Sequence, residues 1–263
     1  MLYLLYADDL VLRGESEESL RRLVEGFGRV CKRRGLKVNG EKSKVMVVSR
    51  ENVQCRIMLD GEILEQVSEF KYLGYVMNEK GTDDAECNRK VSNGRKMAGA
   101  IKTLVNAKGL DIECTRVLHE AMLVQALMYG SEVMVWEKKY RTKVQAVQMD
   151  NLRGMLGVRR IDKMRNERIR ELCGVKKGMN ERINECVLSW FGHMERMEES
   201  RLVKRVYSGE CEGNNAFGRP KKKWIGSVRD CLGKRGMNLD EARRMVGNRS
   251  EWRGFCNEAR GRI

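Results

Sequence analysis

The chain has 263 residues, 41% hydrophobic and 34% charged, which fits one large or two small folded domains with a genuine core. Its 52 Lys and Arg against 37 Asp and Glu give a net charge of +15, which points to a polyanionic partner, nucleic acid before membrane surface. Nine scattered cysteines without a Cys-x-x-Cys pair argue against a disulfide framework and a zinc ribbon, and no run is long and apolar enough to span a bilayer. The first dozen residues, Met1-Leu-Tyr-Leu-Leu-Tyr-Ala-Asp-Asp-Leu-Val-Leu, lack a basic leader, so they are not read as a secretory signal. Apolar runs at 2–5 and 10–12 read as two short buried strands, reversing at Asp8 and Asp9. Adjacent carboxylates beside buried apolar side chains call for a neutralising hard cation such as Mg²⁺. A plain polar turn uses the same residues.

Residues 16–34 predict a helix capped by Ser16, with Leu20, Leu23, Val24, Phe27, Val30 and Cys31 in one stripe and Gly35 as the stop. Residues 35–48 read as strand, polar turn, strand. Residues 56–64 read as a hairpin turning at Asp60-Gly61. Phe70-Lys-Tyr-Leu-Gly-Tyr-Val76 reads as an aromatic-rich strand, whose Gly74 permits close backbone approach.

From Thr82 the periodicity turns helical. One helix buries Val91, Ala98, Ile101 and Val105 and sets Arg89, Lys90, Arg95, Lys96 and Lys102 on other faces. The next starts at Asp111 or Glu113, with Val117, Leu118, Ala121, Met122, Gln125 and Met128 near one side. Residues 138–208 continue helical, with Val144, Val147, Leu152, Met155 and Leu156 in a stripe ended by Gly157. Residues 166–184 suit a groove-docking helix pair or an ordinary one. Trp190, Phe191 and Met194 read as core, and His193 as structural rather than a metal ligand. Residues 209–223 are the best linker. They include the basic run Gly218-Arg-Pro-Lys-Lys-Lys-Trp224, where Arg219, Lys221, Lys222 and Lys223 suit a phosphate backbone and Trp224 a stacked base. Two short helices come next, near 224–232 and 252–259.

Three stretches carry a family resemblance, in order. Tyr6-Ala7-Asp8-Asp9 between apolar strands resembles the Tyr-x-Asp-Asp signature of reverse transcriptases. Gly35, Leu36, Asn39, Lys42, Ser43 and Met46 resemble the family's fourth palm motif, and Phe70-Lys-Tyr-Leu-Gly74 its primer grip. Tyr129-Gly-Ser-Glu132, Gly192-His-Met194 and the run ending at Trp224 are similar to the post-polymerase region of non-LTR retrotransposons of the jockey or RTE type.

The resemblance implies an α+β fold: a partial polymerase palm over 1–78, an antiparallel sheet plus helix, then a helical thumb over 79–137. A helical post-polymerase region over 138–208 and a basic tail over 209–263 complete it. It implies that Asp8 and Asp9 hold catalytic Mg²⁺ and that Lys42 meets the incoming triphosphate or leaving pyrophosphate. It implies that Phe70, Tyr72, Leu73 and Gly74 bind the primer, with RNA template and DNA primer or target DNA as partners. The family's remaining palm Asp and its fingers lie upstream of the signature. The expectation is therefore a reverse transcriptase fragment, inactive alone; the basic run, which suits a nuclear-import signal or an exposed hinge as well as a backbone clamp, points to the nucleus. The alternative is a non-catalytic nucleic-acid-binding derivative. A decayed reading frame would instead aggregate through an exposed sheet edge.

Overall fold

The structure, a computed structural model, describes residues 2–49, 51, 53–209 and 222–257. The chain divides into two compact units, residues 1–86 and 87–263. The architecture is α+β: among the described residues the short strands lie in the first unit, and helices make up the second.

Strands β1 (Leu2–Tyr6) and β2 (Asp9–Arg13) form an antiparallel hairpin in which Tyr6 faces Asp9 across the ladder. Helix α1 (Glu17–Arg33) comes next. The Ser19 amide donates to Ser16 Oγ at 3.2 Å, and the Ser16 amide donates to Ser19 Oγ at 3.0 Å. Two orphan amides at the helix start are thereby satisfied. At the other end Gly35 has φ +68°, and the Leu36 amide reaches back to the Cys31 carbonyl at 2.9 Å. That closure requires a left-handed residue, which glycine supplies without a Cβ penalty.

The first core packs α1 against residues 38–64. Val24, Val45, Ile57, Leu59 and Leu64 are buried together, with Leu12, Leu20, Val38 and Cys55 at the margin. Each fully buried aliphatic side chain there contributes roughly 1.5–3 kcal/mol. Strands β4 (Met58–Leu59) and β5 (Glu62–Ile63) form the expected hairpin, turning at Asp60 (φ +53°) and Gly61 (φ +91°).

Three expectations fail in this unit. The β1 strand is not buried: Tyr3 and Leu5 are 61% and 66% exposed, and only the β2 end, at Leu12, enters the core. Among the described residues β1 has β2 as its sole ladder partner, so no further strand covers it. Residues 36–39 form no strand. The chain leaves the Gly35 closure as a loop, and only β3 (Lys44–Val45) pairs, in parallel, with β6 (Glu65–Gln66). Residues 70–76 are not one strand but a hairpin. Strands β7 (Glu69–Tyr72) and β8 (Tyr75–Asn78) turn at Leu73 (φ +46°) and Gly74 (φ +80°). The expected palm sheet is thus four two-stranded pieces among the described residues.

The second unit is built on α7 (Met179–Glu195), which packs against α5 (Lys138–Met155), α8 (Leu202–Ser208), α9 (Trp224–Gly233), α10 (Leu239–Val246) and α11 (Arg249–Asn257). Helix α6 (Asn166–Leu172) joins α5 through Met149, Leu152, Ile169, Cys173 and Val175. Helix α2 (Asp84–Lys108) buries Val91 and Ile101 as expected, but Lys90 is also buried, at 1% exposure. Helix α10 is not among the elements expected from the sequence, although Asn238 and Glu241 form a capping box: the Glu241 amide donates to Asn238 Oδ1 at 2.9 Å.

The apolar stripe expected from Val117 onward is displaced. Helix α3 (Ile112–Leu118), capped by Asp111, runs into a π-turn (His119–Val124) and then α4 (Gln125–Met128). Val117, Ala121, Met122 and Gln125 face outward, while Thr115, His119, Leu123, Val124 and Leu127 are buried. The π-turn closes i→i+5 bonds, so buried positions recur every four residues and a 3.6-residue template loses the face.

Candidate functional site

The β1–β2 ladder leaves Ala7-Asp8 as a two-residue loop, with Asp9 as the first residue of β2. Ala7 has φ +51°, a left-handed conformation that costs a residue with a Cβ roughly 1–2 kcal/mol. Asp8 and Asp9 are both exposed at this tip. The acidic pair therefore sits at the bend, as expected, but the argument that burial demands a counter-ion loses its premise. Two carboxylates about 4 Å apart repel by only about 1 kcal/mol in water. A cation is accommodated at the tip rather than required by it. Among the described residues no third His, Cys, Asp or Glu joins the pair. The donor set, two hard carboxylate groups open to water, fits a Mg²⁺ ion that keeps most of its hydration shell.

Lys42 is exposed on a turn organised by Asn39, whose Oδ1 accepts the Lys42 amide at 3.0 Å while its carbonyl accepts Ser43 Oγ at 2.8 Å. Asn39 and Ser43 thus fix the backbone that presents Lys42. Among the described residues no hydrogen bond or ion pair joins Lys42 to Asp8 or Asp9, so the structure does not bring these three together by direct contact. Phe70 and Tyr72 are half-buried on β7, and Leu73 is exposed at the turn that Gly74 completes. Across the same hairpin the Tyr75 hydroxyl donates to Asp83, and the Val76 amide donates to Glu86 Oε2 at 3.0 Å.

Of the basic run, Arg219 and Lys221 lie outside the described residues. Lys222 pairs with Asp230, and Lys223 is exposed at the start of α9. Trp224 is half-buried rather than presented for stacking. Its indole N–H donates to the Glu132 carbonyl at 2.8 Å, and its ring meets Tyr207 edge-on at 6.0 Å.

That contact gives Tyr129-Gly-Ser-Glu132 a physical role. The buried Lys90 ammonium donates to the Tyr129 carbonyl, Trp136 Nε1–H donates to the Ser131 carbonyl at 3.1 Å, and Trp224 takes the Glu132 carbonyl. Gly130, at φ +66°, allows the reversal that turns these carbonyls toward three separate donors. Gly192 has an equally specific reason. The Trp252 indole lies against it, donates to the Leu188 carbonyl at 3.1 Å, and leaves no room for a Cβ. His193 beside it is exposed and rests against Trp190, with ring centroids 5.2 Å apart.

His119 is a residue that periodicity does not single out. It is fully buried in the π-turn, its Nδ1 lies 2.7 Å from Asn151 Oδ1, and its Nε2 has no hydrogen-bond partner among the described residues. Burial holds its pKa below the usual histidine value, with the Asn151 hydrogen bond opposing. The signal that marks it, the π-turn, exists only in three dimensions.

Comparison with known proteins bears on the first unit most. Residues 1–77 match the family model for reverse transcriptase (RNA-dependent DNA polymerase), a family of divalent-metal-dependent polymerases acting on nucleic acid. Over 232 residues the chain is 22% identical to an uncharacterized transposon-derived protein of Caenorhabditis elegans, covering 85% of this chain and 82% of that one. No solved structure matches. No helix among the described residues is long and apolar enough to cross a membrane. The first 77 residues are thus reverse-transcriptase-like, in a chain that over most of its length is similar to a transposon-derived protein.

Proposed function

We propose that this chain is a palm-and-thumb portion of a non-LTR retrotransposon reverse transcriptase, of the jockey or RTE type, that binds RNA template with DNA primer or target DNA in the nucleus. The observation that carries the reading is the exposed Asp8-Asp9 pair at a two-residue hairpin tip inside the segment that matches the reverse transcriptase family. In this reading Asp8 and Asp9 hold Mg²⁺, which when bound neutralises phosphate charge and aligns the attacking and leaving oxygens. Lys42 places a mobile ammonium where a triphosphate oxygen can accept from it. The Leu73-Gly74 turn, with Phe70 and Tyr72 behind it, gives a primer backbone a close approach.

Two-metal phosphoryl transfer needs carboxylates flanking both ions. Asp8 and Asp9 have no third acidic neighbour among the described residues, so we propose that the chain binds nucleic acid but does not polymerise alone. The same observation favours the second reading, a binding protein without chemistry. Arg95, Lys96 and Lys102 on α2 are exposed or half-exposed, and they suit sequence-independent phosphate contact.

The test pairs two assays on the full chain. An RNA–DNA template–primer duplex is titrated by anisotropy at several salt concentrations, and primer extension is run with Mg²⁺. Salt-dependent binding without extension is expected. Extension abolished by Asp8→Ala would overturn the proposed inactivity. Absence of binding at low salt would sink both readings.

A further inference from the structure

The loop between α5 and α6 carries a feature that the palm does not use. Ile161 is 80% exposed, more than any other large hydrophobic residue described. It sits in a 3₁₀ turn (Arg160–Asp162) with Arg159 and Arg160 before it, and Lys163 and Arg165 after it. The turn is held firmly. The Arg159 amide donates to Asp162 Oδ2 at 2.6 Å, the Asp162 amide to the Arg159 carbonyl at 3.2 Å, and the Lys163 amide to the Arg160 carbonyl at 3.1 Å. Arg160 is tethered to Asp150 at 2.8 Å. On either side, Leu156 and Met164 pack on the cluster of Met149, Leu152 and Ile169. Lys163 sits at φ +51°, a left-handed conformation that ends the turn abruptly.

The chain therefore anchors Leu156 and Met164 and holds Ile161 outward between them. Arg159, Lys163 and Arg165 are exposed and have no ion-pair partner among the described residues. Three available cations within seven residues surround one rigid aliphatic tip.

We propose that this loop is a DNA-duplex contact in which Ile161 wedges between base pairs from the minor groove while Arg159, Lys163 and Arg165 grip the flanking phosphates. Apolar wedges of this kind partly unstack a step and kink the duplex, and phosphate contacts offset the unstacking cost. The inference rests on the nucleic-acid reading above, but uses none of the residues of the Asp8-Asp9 hairpin. Charge complementarity selects a polyanion. One aliphatic side chain is too little apolar surface for a stable membrane anchor, which needs a whole helix face or an acyl chain. A-form RNA, with its shallow minor groove, offers a wedge less purchase.

The experiment uses the full chain and a DNA duplex of about 25 base pairs with a central TA step, end-labelled for energy transfer. Affinity is read by anisotropy, and bending by transfer efficiency. The wild type binds and shortens the end-to-end distance. Ile161→Ala weakens binding about tenfold and loses the bend, with no change in salt dependence. Replacing Arg159, Lys163 and Arg165 by Ala lowers the slope of log affinity against log salt by about 2–3. Both variants keep the wild-type melt, since these side chains are exposed. Unchanged affinity and bending for Ile161→Ala, with wild-type DNA binding intact, would overturn the wedge alone. No DNA or RNA binding by the wild type would overturn the wedge and the nucleic-acid reading together. Ile161-dependent binding of anionic vesicles or duplex RNA instead of DNA would also overturn it.

Discussion

Gly192→Ala isolates the packing that holds the helical unit together. A Cβ at this position would meet Trp252 Nε1 and Cδ1 at under 3.0 Å, closer than real Cβ contacts allow, with Cε2 at 3.0 Å beside them. The indole is 2% exposed, pinned between Phe191 and Phe255, and donates to the Leu188 carbonyl at 3.1 Å, so it has no open side to move toward. Overpacking of this kind costs about 1–3 kcal/mol. Displacing the indole N–H from its acceptor adds about 1 kcal/mol. Less the roughly 0.5–1 kcal/mol that a helical Gly→Ala change returns, the net cost is about 1–3.5 kcal/mol, or a fall in Tm of roughly 2–14 °C for a unit of this size. Gly99→Ala is the matched control. Nothing lies within 4 Å of its Cβ position on α2, and a helical Gly→Ala change there should stabilise by about 0.5–1 kcal/mol. Urea unfolding of the full chain, tracked by tryptophan fluorescence and circular dichroism, measures both. Equal stability of Gly192→Ala and wild type would refute the account of α7 and α11.

Lys90→Ala should destabilise the second unit by about 2–4 kcal/mol, because it removes a donor from the Tyr129 carbonyl and opens a cavity, yet should not alter the salt slope of nucleic-acid binding. Replacing Arg95, Lys96 and Lys102 together should do the reverse, lowering that slope by about 2–3 with little change in the melt. His119 gives a pH signature. Its folded-state pKa is depressed below 6.5, so the unfolded chain binds the proton more readily. Its contribution is therefore intact above about pH 6.5 and declines as pH falls toward the folded-state value. Denaturation midpoints should drop over that window in wild type and less in His119→Gln. Ala7→Gly should relieve the left-handed strain at the hairpin tip, raising amide-exchange protection across β1 and β2 by about 0.5–1 kcal/mol.

The bounds of helix α1 are legible because cap and stop are local, Ser16 and Gly35; of its stripe Val24 and Cys31 are buried, while Val30, read as inward, is 45% exposed. Turns carried by Asp60-Gly61 and by the acids at the first bend are legible for the same reason. The features that sequence hides depend on partners. The burial of β1 cannot be inferred from its own apolar residues, because burial is set by what lies across the ladder. The Phe70–Val76 stretch conceals a turn at Leu73, a residue with no turn propensity whose left-handed backbone rests on Gly74 beside it. The stripe after Asp111 is lost to a single π-turn. Lys90 looks like one more surface cation in the sequence, yet its ammonium is taken inside by the Tyr129 carbonyl, far along the chain. Likewise Trp224 looks available for a base, but the Glu132 carbonyl holds its indole. At the candidate site the residues of the acidic pair and their bend are readable from four letters. Their exposure is not.

We propose that Asp8 and Asp9 at the hairpin tip hold a divalent cation. Titration of the full chain with Mn²⁺, read as paramagnetic broadening of backbone amides, tests it directly. Selective broadening at residues 7–10, competed away by excess Mg²⁺ and lost in Asp8→Asn with Asp9→Asn, is the expected result. Uniform weak broadening across all exposed carboxylates, unchanged in that double variant, would contradict it.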